Sequence, residues 1–181
     1  MDFDSAKDRE LALPATSLTI LRRSLRKEAG PLGATHALHA AGYATGESLL
    51  GLLEEHLGTD DPAGVENEAF WGGLGEFLRG RGWGSLEHER VHPALGLLSS
   101  RDWAEADPGA DETQPSCPFT AGLLASVLGR VAGGPVAVLE VSCRSKGDEA
   151  CRFAFGSEAA IHELYGFLLD NLTLEEALAS L

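Results

Sequence analysis

Residues 117–151 read CPFTAGLLASVLGRVAGGPVAVLEVSCRSKGDEAC, a stretch that contains a helix, a turn and most of a hairpin. Pro118 suits the first position of a helix, where its missing N–H would have had no partner. Phe119, Leu123, Val127 and Leu128 then recur at helical spacing, which predicts a helix over 118–132. VAVLEVS and ACRFAFG read as strands over about 136–142 and 150–156, with Gly147 and Asp148 as the turn signal between them. Cys151, Phe153 and Phe155 alternate along the second strand and should point the same way.

The same stretch holds all three cysteines of the chain. Cys117 lies 23 residues before Glu140, Glu140 three before Cys143, and Cys143 eight before Cys151. Three thiols and a carboxylate suit zinc, which accepts a mixed sulfur and oxygen tetrahedron. Calcium and magnesium prefer oxygen throughout. At the start of a helix Cys117 should have a lowered thiol pKa. On a regular strand Glu140 and Cys143 would face opposite ways, so a shared site predicts a bulge there, or Cys143 beyond the strand end. On spacing alone a Cys143–Cys151 disulfide and three unrelated buried thiols stay open, because no C-x-x-C pair is present.

Pro115, Cys117, the small-residue helix to Gly129, Glu140-Val141-Ser142-Cys143-Arg144 and Gly147-Asp148-Glu149-Ala150-Cys151-Arg152 together resemble the core of the 4-vinyl reductase domain family. This ligand-binding module also forms the sensor domain of aromatic-responsive bacterial transcription activators. Gly42-Tyr43-Ala44-Thr45-Gly46 resembles the family's glycine-tyrosine helix, and the resemblance runs from roughly residue 30 to 156. It implies a structural zinc on Cys117, Glu140, Cys143 and Cys151. It also implies a pocket between the long helices and the sheet. In phenol-sensing members a histidine and a tryptophan hold the effector hydroxyl; matching places Leu78 and Leu98 at those positions. Without a polar anchor the pocket cannot favour phenol over a hydrocarbon, so a small apolar or aromatic ligand is expected. Trp71, Gly96, Ala121 and Val138 match other wall positions, although residues at such spacing also make an ordinary filled core. Relatives of this fold, including small subunits of vesicle-tethering complexes of the TRAPP type, dimerise through helices, which makes a homodimer the expected partner.

The totals fit one core: the chain has 181 residues, of which 44% are hydrophobic. A formal net charge of -14 argues against nucleic acid, whose binding rests on neutralising phosphates. No apolar run approaches a membrane span, the N-terminus is acidic where a signal peptide would be basic, and a cytoplasmic protein is expected. Residues 1–13 read as a flexible tail and 14–181 as a single domain.

Upstream, a helix is predicted over 16–28 with Arg22, Arg23, Arg26 and Lys27 as a solvated basic face, or a docking surface for an acidic partner. Gly30, Pro31 and Gly33 interrupt it before a helix over 34–57, on which Gly42 and Gly46 suggest close packing or room for a ligand. A helix over 66–80 carries Phe70, Trp71, Leu74, Phe77 and Leu78. Strands over about 83–91 and 94–103 flank Pro93, and the loop 104–116 reads as polar and mobile. A terminal helix from about 158 closes an α+β fold: a four-stranded antiparallel sheet from two hairpins, with helices before, between and after.

No nucleophile elbow, P-loop, dinucleotide fingerprint or H-E-x-x-H motif occurs. The pairs His36/His39 and His88/His92 read as surface or core residues. A three-cysteine zinc with Glu140 as a base would resemble deaminase chemistry, but the H-x-E and P-C-x-x-C patterns are missing. The sequence therefore leans away from an enzyme. It points to a stand-alone zinc-stabilised module that senses or carries a small molecule. An accessory or reductase role in tetrapyrrole vinyl reduction, as the family name suggests, and a ligand-free interaction scaffold are the alternatives.

Overall fold

The computed structural model describes residues 10–181. Five α-helices and four strands follow in order: α1 (Thr16–Leu57), α2 (Asn67–Gly80), β1 (Glu87–His92), β2 (Leu95–Ser100), α3 (Pro118–Ala132), β3 (Ala137–Ser142), β4 (Cys151–Gly156), α4 (Glu158–Leu169) and α5 (Leu174–Ser180). The sheet is antiparallel in the order β1-β2-β4-β3, so the two hairpins join through β2 and β4. This is the expected α+β plan. Of the expected tail, residues 1–9 lie outside the described residues; residues 10–13 are exposed and lack regular structure.

Strand alternation gives the sheet two buried faces. Leu98 and Phe153, with Cys151, join Leu53, Phe70, Leu74, Phe77, Trp103, Leu123 and Val127 in the larger core, against α1, α2 and α3. Leu95, Leu97 and Ala154 face the other way and pack with Ile161, Leu164 and Ala177 of α4 and α5. Phe153 is fully buried; truncating such a ring to alanine typically costs about 3–5 kcal/mol.

The two helices predicted over 16–28 and 34–57 form one continuous element, bent where expected. Gly30 sits at φ 74°, ψ 171°, a conformation that side chains oppose, and it precedes Pro31, which also disfavours a helical predecessor. The second limb of α1 lies close against α3. A Cβ on Gly42 would run into the carbonyl of Phe119, and one on Gly122 into the carbonyl of His39. Close packing, not ligand room, is thus what these glycines provide.

Three other expectations change. The first hairpin is shorter than predicted, since only residues 87–92 and 95–100 pair. The terminal helix is two helices, parted at Asn171 (φ 63°) and restarted by a capping box between Thr173 and Glu176. The loop 104–116 is tied down: Arg26 grips Glu112 at 2.7 and 2.6 Å, Arg23 meets Asp107 at 3.1 Å, and Arg22 donates to the carbonyls of Glu105 and Ser116. The basic face of α1 therefore meets an acidic segment of its own chain, and Arg22 is buried, not solvated.

Candidate metal centre and adjoining cleft

Cys117 is the residue before the first turn of α3, with Pro118 next. Cys143 follows the end of β3, and Cys151 opens β4 across the turn Arg144–Lys146. The register of β3 against β4 shifts between Glu140 and Ser142, which inserts one residue and reverses the parity of side-chain direction. Glu140 and Cys143 can then face the same side. The ligand atoms of Cys117, Glu140, Cys143 and Cys151 all lie within 4.8 Å of one another.

Backbone groups hold the cluster. The Cys117 N–H donates to Glu140 Oε2 at 2.7 Å, the Cys143 N–H to Asp148 Oδ2 at 2.7 Å, and the Arg144 N–H to Cys151 Sγ at 3.5 Å. Cys117 Sγ and Cys143 Sγ are 3.8 Å apart, and Ser116 Oγ lies 3.7 Å from Cys143 Sγ. All three cysteines are free, so the disulfide alternative is not realised. Glu140 Oε1 is buried without any hydrogen-bond partner. That is an expensive state for a carboxylate oxygen unless a cation meets it.

The electrostatics agree. Burial, followed by the negative Cys143 sulfur, pushes the Glu140 carboxyl up to about 9. Hydrogen bonds from Cys117 and Cys151 hold Cys143 well below the usual thiol value. Cys117 itself is raised by its contacts with those two sulfurs, then by burial, contrary to the lowering expected from the helix start. Crowded acidic groups outweigh the helix dipole there. The chemistry of the four donors fits a metal ion.

A second buried carboxylate, Glu105, caps the same end of α3. It accepts from the N–H groups of Phe119 and Thr120 at 3.0 and 2.8 Å and from the Thr120 hydroxyl at 2.6 Å; Thr120 in turn accepts from Trp103 Nε1 at 2.6 Å. Burial outweighs these hydrogen bonds and pushes Glu105 up to about 7. Sequence reasoning missed Glu105, Arg22 and Asp148. The available signal was opposite charge: Arg22 and Arg26 recur four residues apart on α1, and the loop supplies Glu105, Asp107 and Glu112.

The expected pocket residues do not share one cavity. Leu78 and Leu98 are packed inside the larger core. Trp71 and Gly96 border a shallow concavity of about 330 Å³, where Trp71 stacks on His88 at 4.0 Å and the Phe155 ring covers Gly96. Ala121 and Val138 line a larger cleft of about 740 Å³ between the second limb of α1, the free edge of β3 and the α4–α5 link. Arg22, Arg26, Leu38, Lys146, Tyr165 and Leu172 also border it, and it reaches the metal-site residues Cys117 and Glu140.

This fold and cluster define a domain class. The family model of the 4-vinyl reductase domain matches residues 104–157, from the loop through the end of β4, so the resemblance to that family is borne out over this segment. No curated protein matches the chain in sequence. Among solved structures, the phenol-responsive sensory domain of the transcription activator PoxR, determined with phenol, is 15% identical, with 82% of this chain and 76% of that chain covered at a TM-score of 0.66. A vinyl-4-reductase family protein from Methanocaldococcus jannaschii is 16% identical over 82% of this chain and 84% of its own, at 0.54. A trafficking protein particle complex subunit 3 from Naegleria fowleri, covalently bound to palmitic acid, is 13% identical over 78% and 91%, at 0.60. At these identities the likeness is one of fold. Among the described residues no helix is long and apolar enough to cross a membrane.

Proposed function

We propose that the chain is a small-molecule sensor or carrier module built around a structural zinc ion on Cys117, Glu140, Cys143 and Cys151. The observation that carries this reading is the convergence of the four donors within 4.8 Å around an orphaned Glu140 oxygen. Zinc suits the three sulfurs and one oxygen. In a tetrahedron with zinc–sulfur bonds of about 2.3 Å the sulfurs stand about 3.8 Å apart, and Cys117 and Cys143 stand 3.8 Å apart. Four protein ligands leave no open position for a substrate, which favours a structural ion over a catalytic one.

Recognition then belongs to an apolar or aromatic ligand held apart from the ion. The family match and the phenol bound by the PoxR sensory domain support that role. Ala121 and Val138, on the larger cleft, are the pocket positions that open to a ligand-sized space. A homodimer formed through α1 accords with the exposed Ile20, Leu21, Leu32 and Tyr43 along that helix.

Metal analysis and native mass spectrometry of the purified protein test the reading. One zinc per chain is expected, with a small apolar molecule retained in a fraction of the protein, and Glu140→Ala and Cys143→Ser should each lower zinc affinity at least about tenfold. A metal-free protein that takes up no zinc from a buffered solution would overturn it.

A further inference from the structure

Arg22 is buried to 3% exposure, yet its guanidinium is only partly satisfied. Nη1 donates to the carbonyls of Ser116 at 2.7 Å and Glu105 at 3.3 Å, while Nε and Nη2 have no hydrogen-bond partner. Nor does a carboxylate neutralise it fully. Glu112 places both oxygens on Arg26 and reaches Arg22 Nε only at 3.9 Å. The Glu105 carboxyl accepts from the start of α3 instead. Two arginines thus share one close carboxylate, and both line the larger cleft. In a chain of net charge -14, this wall carries an excess of positive charge.

Buried N–H donors without acceptors are costly, and an arginine fork fits a carboxylate better than any neutral group. The remaining walls are mainly apolar. We propose that the cleft takes a small apolar carboxylate, its anionic head on Arg22 and its body against Leu38, Val138, Tyr165 and Leu172. The proposal rests on the ligand-module reading and deepens it by naming the head group. The body is an aliphatic chain or an aromatic ring, and the cleft, about 740 Å³, has room for either.

Calorimetric titration with two matched pairs decides the matter: decanoate against decanol, and 2-naphthoate against 2-naphthol. The acid is expected to bind at least about tenfold more tightly than its alcohol in one pair or both, and the better pair identifies the body. Arg22→Gln should remove that preference while leaving the affinity for the alcohol and the zinc content unchanged. Thr35→Trp, at an exposed position of α1 on the cleft rim, should weaken every ligand without disturbing the core. Equal binding of acid and alcohol by the wild-type protein overturns the head-group assignment and leaves the ligand-module reading standing. An acid preference untouched by Thr35→Trp places the site elsewhere and also overturns it. Loss of zinc in Arg22→Gln, with no acid preference in the wild type, assigns Arg22 to balancing the charge of the metal centre instead. Failure of all four compounds to bind sinks both readings.

Discussion

Glu105 shows how one side chain can organise a helix start that its own loop does not belong to. Its two oxygens accept three hydrogen bonds from Phe119 and Thr120, satisfying donors that the first turn of α3 leaves free. Glu105→Gln would turn an amide N–H₂ towards those donors. A loss of about 1–3 kcal/mol in stability is expected, measured by urea unfolding. The carboxyl also couples stability to pH. Its folded-state value is raised from 4.5 to about 7, so between these limits the native protein binds more protons at Glu105 than the unfolded chain does. Its contribution is present below pH 4.5 and is lost as pH rises through about 7. The change is on the order of 3 kcal/mol across that window. Unfolding free energy followed against pH should show the decline in the wild type, and a flatter profile in Glu105→Gln. A matching slope in both proteins would mean that Glu105 does not titrate in this range.

At the level of elements, the contact between α1 and α3 sets how closely the cleft wall approaches the metal centre. Gly42 and Gly122 meet backbone carbonyls of the opposite helix, so a methyl group at either has nowhere to go unless the helices separate. Gly42→Ala is expected to destabilise the fold by about 1–3 kcal/mol despite its better helix propensity, measured by thermal or chemical unfolding. Gly51→Ala makes the control: it lies on the same helix with open space around it and should be neutral or slightly stabilising. Equal effects at both positions would show that α1 and α3 adjust to the added volume.

For the molecule as a whole, the metal centre joins parts that the sheet alone does not unite. Cys117 fixes the start of α3 and the end of the 104–116 loop, whereas Glu140, Cys143 and Cys151 belong to the β3–β4 hairpin. An ion held by all four restrains both against unfolding. At a thousandfold excess over its dissociation constant a bound ion contributes about 4 kcal/mol, which in a domain of this size corresponds to roughly 10 °C in Tm. Addition of a zinc chelator should lower Tm by about that amount, with re-addition of zinc restoring it. A Tm insensitive to both would remove the ion from any structural role.

Much of this was legible in local pattern. The helix over 118–132 and the pairing of the last two strands follow from Pro118, helical spacing, strand alternation and the Gly147-Asp148 turn, because these depend on a few consecutive residues. Even the bulge beside Glu140 could be anticipated, since period-two alternation would otherwise have separated it from Cys143. Arg22 and the 104–116 loop were not readable in this way. A basic helix face and an acidic loop each look solvated when taken alone, and 83 residues separate Arg22 from Glu105. The pocket was equally hidden, because a large apolar residue such as Leu78 fills a core or walls a cavity with the same spacing. Sequence determined which elements form and which four donors are available, through short-range sterics, periodicity and ligand chemistry. Only the tertiary structure decided where charge is left unbalanced and where space stays open, because both depend on residues that are distant along the chain and become neighbours only on folding.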